Sequence, residues 1–212
     1  LDTLKLAESS TESTMIAVYG RRRIGKTFLI DEYFRDESGY FFIKNVGIKN
    51  EPTENQVKAF FSDVNKDVDK FNKELKAILE SKGKNESFKE VEKEKLADTT
   101  WEDFFSFLSK TMDNLHIAIQ QNNLAREIVY FFDEVPFAAE QTNNFANRLA
   151  AIWEKNFNGK RKHLFILCGS AASWMIQEIV NATGGLNSRC RHKIPLRPFI
   201  YREMTEYLKK KY

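Results

Sequence analysis

Cysteine is scarce: the 212 residues contain only Cys168 and Cys190, without CxxC spacing. That excludes a disulfide scaffold and a four-cysteine zinc site, and makes the reducing cytoplasm the expected setting. Both thiols are expected to serve as small buried hydrophobes. Long apolar runs are also missing. No stretch approaches the roughly 20 residues of a membrane span, and no signal-peptide pattern opens the chain. Nor does one sign of charge dominate: 33 Lys and Arg face 30 Asp and Glu, a net charge of +3. Bulk charge therefore gives no argument for nucleic acid. His116, His163 and His192 are scattered without metal-ligand spacing, and no internal repeat is visible.

What is present points to a folded α/β chain. Hydrophobic residues make up 42% and aromatics 13%, with 18 Phe, enough for a sizeable core and incompatible with global disorder. Short β-branched and aromatic runs alternate with longer helical patterns, which predicts a mostly parallel five-stranded sheet with helices on both faces. Strands are expected at 15–19, 40–44, 128–132, 164–167 and 193–196. The run at 128–132 is continuous in apolar residues, as a strand covered on both faces should be. Pro195 places the last strand at an edge. Helices are expected at about 26–34, 101–120, 143–157, 171–181 and 199–210, the second capped by Thr99 or Thr100 before Glu102 and Asp103.

Residues 51–98 break this rhythm. They hold 12 Asp/Glu and 10 Lys among 48 positions. Phe71, Leu75, Ile78 and Leu79 fit one amphipathic helix whose surface is mostly solvated. The stretch is expected to be a charged helical insertion or linker, the alternative being a partner-docking arm. Leu1 in place of an initiator Met, and a lysine-rich helical run up to Tyr212, lead to the expectation of a piece of a longer polypeptide.

Two strand ends carry chemistry. Gly20-Arg21-Arg22-Arg23-Ile24-Gly25-Lys26-Thr27 matches GxxxxGK[ST], between an apolar strand and a helix. Glycines at both ends let successive backbone N–H groups converge on phosphates close to a helix N-terminus. Lys26 is expected to reach the β- and γ-phosphates, and the Thr27 hydroxyl to ligate Mg²⁺. Phe28 follows directly, and Arg21, Arg22 and Arg23 either touch the nucleotide or stand solvated on the loop. The run at 128–132 ends in Asp133 and Glu134. Asp133 is expected to hold the magnesium water shell and Glu134 to orient or deprotonate the attacking water. The next strand ends at Ser170, which either faces the γ-phosphate or caps a helix beginning at 171.

These residues resemble a known family. The string at 18–27, VYGRRRIGKT, is similar to the GRRRxGKT loop of the archaeal-type ATPases, P-loop proteins related to the AAA+ and STAND classes. The similarity continues through Phe132-Asp133-Glu134, Cys168-Gly169-Ser170, and 186–189 followed by Ile194-Pro195-Leu196-Arg197-Pro198-Phe199. Ser188 stands where the family usually has glycine. The resemblance covers 1–47 and 99–212. It implies a three-layer P-loop NTPase fold of the ASCE type, with the acidic strand between other strands rather than beside the loop strand. It further implies ATP and Mg²⁺ as ligands, flanking domains beyond this sequence, and Arg189 as a phosphate sensor or as an arginine finger acting on a neighbouring subunit. Arg191 is the fallback.

Three functions follow as expectations. The first is an ATPase that couples its nucleotide state to a neighbouring domain or partner, with a homo-oligomer as one arrangement. The second is a nucleotide-dependent switch without turnover. The third is a nucleic-acid motor, suggested only by eight Arg and Lys against Glu203 and Glu206 in 189–212. That basic end lacks interleaved base-reading residues. No membrane partner is expected, and ATP is chosen over GTP from the resemblance alone.

Overall fold

The computed structural model describes residues 2–35, 39–84, 88–139, 145–159, 163–170, 174–181 and 185–211. Five strands form one sheet: β1 (Thr14–Tyr19), β2 (Tyr40–Val46), β3 (Glu127–Asp133), β4 (His163–Gly169) and β5 (Cys190–Pro195). Their order is β2-β3-β4-β1-β5 and every pair is parallel, so all C-terminal strand ends share one rim. The acidic strand β3 is separated from the loop strand β1 by β4, as the ASCE resemblance implies. β5 lies at an edge beside β1, where Pro195 costs no internal ladder bond.

Burial explains these assignments. In β3 every residue after Glu127 is buried, and all of β4 is buried, because helices cover both faces. The edge strand β2 instead alternates, with Phe41, Ile43 and Asn45 buried. One face carries α1 (Asp2–Glu8) and α2 (Lys26–Arg35), whose Leu4, Ile30 and Phe34 pack with Ile16, Val129, Phe131 and Ile166. The other carries α3 (Thr53–Ser81), α4 (Trp101–Gln121), α5 (Val135–Ala139) and α6 (Phe145–Ile152). There the aromatic content concentrates: Trp101 and Phe145 meet edge to face at 4.8 Å, and Phe145 and Phe132 at 5.4 Å. Thr100 caps α4, its hydroxyl accepting from Asp103 N at 3.1 Å.

Three expectations change. The helix in the charged stretch is longer than expected and belongs to the core. Val57, Phe60, Val64, Val68, Phe71, Leu75 and Leu79 form a buried seam at helical spacing against β2 and α4. Each such side chain contributes about 1.5–3 kcal/mol on burial, whereas surface pairs such as Lys66–Asp63 contribute about 0–1. The seam, not the charge, therefore decides where α3 sits. Beyond it, Val91 is buried and exchanges two hydrogen bonds with Asn72, at 2.9 and 3.1 Å, which fastens the extended segment to α3.

The second change is at 143–157. Described from Phe145, this region is α-helical to Ile152 and then widens into a π-helical turn, Trp153–Phe157. The third is at 171–181: residues 171–173 lie outside the described residues, and the remainder contains a π-helical segment, α7 (Met175–Val180). The chain ends in α8 (Tyr201–Lys211), which exposes Tyr201, Met204 and Leu208. Among the described residues, no helix is long and apolar enough to cross a membrane.

Candidate functional site

The chemistry-bearing side chains gather where β1, β3 and β4 end. After Tyr19 the chain loops through 20–25 and enters α2 at Lys26, with Leu29 N donating to Gly25 O at 2.8 Å. Arg23 (φ 62°) and Gly25 (φ 90°) both adopt left-handed backbone. Alternating that conformation with ordinary backbone turns consecutive N–H groups inward, the concave nest that holds an anion. Lys26 is only 6% exposed and its Nζ donates to Gly20 O at 3.2 Å and Arg21 O at 2.9 Å. A buried ammonium held on two carbonyls of its own loop is available to any phosphate that enters the nest.

The head of α2 meets the acidic strand. Thr27 Oγ1 donates to Asp133 Oδ2 at 2.8 Å, although 106 positions separate the two in the chain. Asp133 is buried, and its other oxygen, Oδ1, accepts from Glu134 N at 3.0 Å. Glu134 sits at φ 49°, uncommon for a residue that is neither Gly nor Asn. Its carboxylate does not point to open solvent: Oε2 accepts from Ser170 Oγ at 2.7 Å and Ser170 N at 3.3 Å. Ser170 is thus joined to Glu134, which neither sequence-based alternative described. The capping alternative concerns 171–173, outside the described residues.

The loop's remaining side chains divide. Arg21, Arg22 and Arg23 are exposed, with Arg22 over the Phe137 ring at 5.9 Å. Ile24 and Phe28 line an apolar cleft of about 600 Å³ with Leu29, Tyr33, Leu196 and Phe199. The cleft is continuous with the loop through Gly25, and Phe28, 66% exposed, forms one of its walls. Leu196 reaches it because Leu196 N donates to Tyr19 O at 2.8 Å, which folds the chain beyond β5 against the loop's start.

Arg189 is corrected in one of its two expected roles, that of a phosphate sensor within its own chain. It precedes β5, and Cys190 pairs with Met15 near the start of β1, so Arg189 lies on the N-terminal rim, across the sheet from Lys26. There its Nε meets Glu154 Oε1 at 2.8 Å and its guanidinium bonds Gly185 O. It cannot sense a phosphate held by its own chain. The fallback, Arg191, is on β5 itself, bonded to Glu12 at 3.2 Å. With Arg202 paired to Glu206, three cations of the basic end are already matched by acids.

Two residues escaped the sequence reading. Gly47 follows β2, and its N–H donates to Asp133 O at 2.9 Å. A Cβ there would lie 2.3 Å from Glu134 O and 3.0 Å from Ala138 N, so only glycine lets this loop lie against the acidic turn. Gln56, fully buried on α3, accepts from Ile48 N and donates to Ile48 O and Phe137 O, tying the same loop to α5. A glycine directly after a strand was the available signal for the first; Gln56 offered none.

A family profile described as an ATPase domain predominantly from Archaea matches residues 1–212. Among solved structures, the fold is similar to that of the Walker-type ATPase PABY2304 of Pyrococcus abyssi. The TM-score is 0.57 and the identity 19%, over 99% of this chain and 56% of that one. The Aeropyrum pernix ORC1 protein in complex with DNA superposes at a TM-score of 0.44 and 12% identity, over 99% of this chain and 46% of that one. The chain thus spans about half the length of these proteins. A search of curated proteins finds no match.

Proposed function

The chain belongs to the family of ATPase domains found predominantly in Archaea, and from that premise we propose that its C-terminal rim binds ATP with Mg²⁺ and hydrolyses it. The observation that carries this reading is the 2.8 Å contact between Thr27 Oγ1 and Asp133 Oδ2 beside a loop containing Lys26. A hydroxyl and a carboxylate side by side are the hard oxygen donors that Mg²⁺ takes, and the left-handed backbone at Arg23 and Gly25 suits a phosphate chain. When bound, the cation supplies charge neutralisation on the β- and γ-phosphoryl oxygens.

The chain's own residues do the rest. Main-chain N–H groups of 23–26 orient the phosphates, and Lys26 exchanges its two carbonyl partners for phosphate oxygens. Glu134 accepts a proton from the attacking water at Oε2, the oxygen that Ser170 now holds. Ser170 positions that carboxylate, so it influences when the base is in service. The apolar cleft beside Phe28 is the place for a base stacked on an aromatic ring.

A second reading is favoured by a specific contact. Glu134 is engaged by both the hydroxyl and the amide of Ser170, which restrains the proposed general base. A switch that binds ATP but turns over only when a neighbouring domain or partner shifts Ser170 uses the same residues. Steady-state phosphate release with Mg-ATP distinguishes the two. Hydrolysis requires turnover in the parent chain that Glu134→Gln lowers at least about 100-fold while ATP binding persists. Equal, substantial turnover in both proteins would remove Glu134 from the chemistry. Tight binding without turnover at any protein concentration selects the switch.

A further inference from the structure

Two buried amides on α3 grip their surroundings in nearly the same way. Asn72 accepts from Val91 N at 2.9 Å and donates to Val91 O at 3.1 Å. Gln56 accepts from Ile48 N at 3.0 Å and donates to Ile48 O at 3.0 Å. Each holds one residue by both of its backbone groups. Gln56 does one thing more: its Nε2 also donates to Phe137 O at 2.7 Å, across 81 positions of chain. Glu51 O, at 3.5 Å, is the longest contact of the same nitrogen. The bond to Phe137 leads to the acidic turn. Phe137 N donates to Glu134 O at 3.0 Å, so Phe137 holds Glu134 at one end and is held by Gln56 at the other. A helix leaves its last four carbonyls without partners of its own. In the five residues of α5 the Phe137 carbonyl is one of these, and Gln56 supplies its donor.

A second route runs through the loop after β2. Ile48, fixed by Gln56, follows Gly47, whose N–H donates to Asp133 O at 2.9 Å. The two routes close on neighbouring residues, 133 and 134, where Glu134 has φ 49°. Left-handed backbone at a glutamate persists only where its surroundings over-determine it. Resting on the reading of Glu134 as the base that takes a proton from water, we propose that Gln56 is a positioning residue for that carboxylate. By bonding Ile48 and Phe137 together, it fixes the turn from which Glu134 projects. These bonds all go to main-chain groups, so Gln56 acts through the turn and not on substrate. Glutamine suits the task because one acceptor and two donors meet one N–H and two carbonyls. A glutamate would set an acceptor against both carbonyls, and a methionine has the length without the bonds. Gln56 stands in the first turn of α3, beside the buried seam that begins at Val57 and Phe60. Where that seam seats α3 is therefore passed on to the acidic turn.

The test uses the full chain and compares Gln56→Met with Asn72→Leu, which removes the matched amide from the same helix. Titration with the fluorescent nucleotide mant-ATP counts competent sites, and single-turnover hydrolysis of radiolabelled Mg-ATP is expressed per site. A misplacement of about 1 Å can cost about 100-fold in rate, so Gln56→Met should lose about 10-fold or more. Its nucleotide affinity should stay within about 2-fold, and Asn72→Leu should stay within about 2-fold of the parent in both. In a Glu134→Gln background, Gln56→Met should cost less than about 2-fold, since residues that act as a unit are not additive. Should Gln56→Met fail to fold, Gln56→Asn, one methylene short of Phe137 O, takes its place. Parental rates per site in the Gln56 variant overturn the proposal, as does an equal loss in Asn72→Leu. A full loss in the Glu134→Gln background also overturns it, because Gln56 would then act by another path. A parent that binds nucleotide without hydrolysing it, or hydrolyses it equally well as Glu134→Gln, overturns this inference together with the reading beneath it. A parent that depends on Glu134 and is matched by Gln56→Met overturns this inference alone.

Discussion

The two rims of the sheet use similar residues to opposite ends. On the C-terminal rim Lys26, Asp133 and Ser170 are buried, and Arg23 and Glu134, neither Gly nor Asn, hold left-handed backbone. The polar groups there bond across long chain separations, Thr27 to Asp133 and Ser170 to Glu134. On the N-terminal rim Arg189 and Glu154 form a partly exposed ion pair. Left-handed residues do occur there, Asn123, Gly159 and Gly185 among them, but they are types that tolerate the conformation. Burial of charge and backbone strain are costs that a fold sheds where it can. Their concentration on one rim is what the proposed binding and chemistry would account for.

The largest effect that could break this contrast is at Lys26. Lys26→Ala should weaken ATP binding at least about 100-fold, measured by titration calorimetry, because in the proposed site this buried ammonium would meet several phosphate oxygens and has no substitute. Near-parental affinity would mean that the burial is structural, as on the other rim.

Next in size is Gly47→Ala. The added Cβ meets the Glu134 carbonyl at 2.3 Å, so the acidic turn must shift. Phosphate release should fall about 10-fold or more, since small misplacements of reacting groups are costly, with a stability loss of about 1–3 kcal/mol. A stability loss with parental turnover would detach Gly47 from the chemistry.

A smaller effect sharpens the comparison from outside both rims. Asp67 on α3 accepts from Lys44 N of the edge strand, and burial raises its pKa to about 6. A carboxyl whose folded pKa is raised contributes stability that is complete below its ordinary value near 3.8 and lost as pH rises through about 6. Urea unfolding at pH 4.5 and 7.5 should therefore show the parent losing about 1 kcal/mol more than Asp67→Asn between the two. No difference between the proteins would mean that the carboxyl is solvated in the fold.

Least is expected of Arg189→Ala: about 1 kcal/mol or less in thermal stability, and unchanged turnover in dilute protein. A loss of activity that grows with protein concentration would instead mean that the N-terminal rim of one copy serves the other rim of the next.

What could be read beforehand follows from how local each signal is. The loop at 20–27 and the acids at 133 and 134 depend on short spacings next to apolar strands, and the strand ends then brought them together. Ser170 was legible as a strand-end residue but not as Glu134's partner, because that bond depends on the left-handed turn at 134. The seam of α3 was hidden: Val57, Phe60, Val64 and Val68 are small in number beside the surrounding Lys and Glu, and composition averages them away. Arg189 was misplaced as a sensor within its own chain, although its signal existed. In a parallel sheet a residue before a strand lies on the opposite rim from residues that follow strands, and Arg189 stands just before β5.

The position of β4 between β1 and β3 has one last consequence. The hydroxyl at 27 and the carboxylate at 133 belong to segments that share no ladder, so their alignment is relayed through a third strand. A slip of one residue at either ladder, about 3.3 Å, exceeds the whole 2.8 Å contact. The pocket therefore works like a vernier scale, whose two marks coincide at a single setting of the sheet.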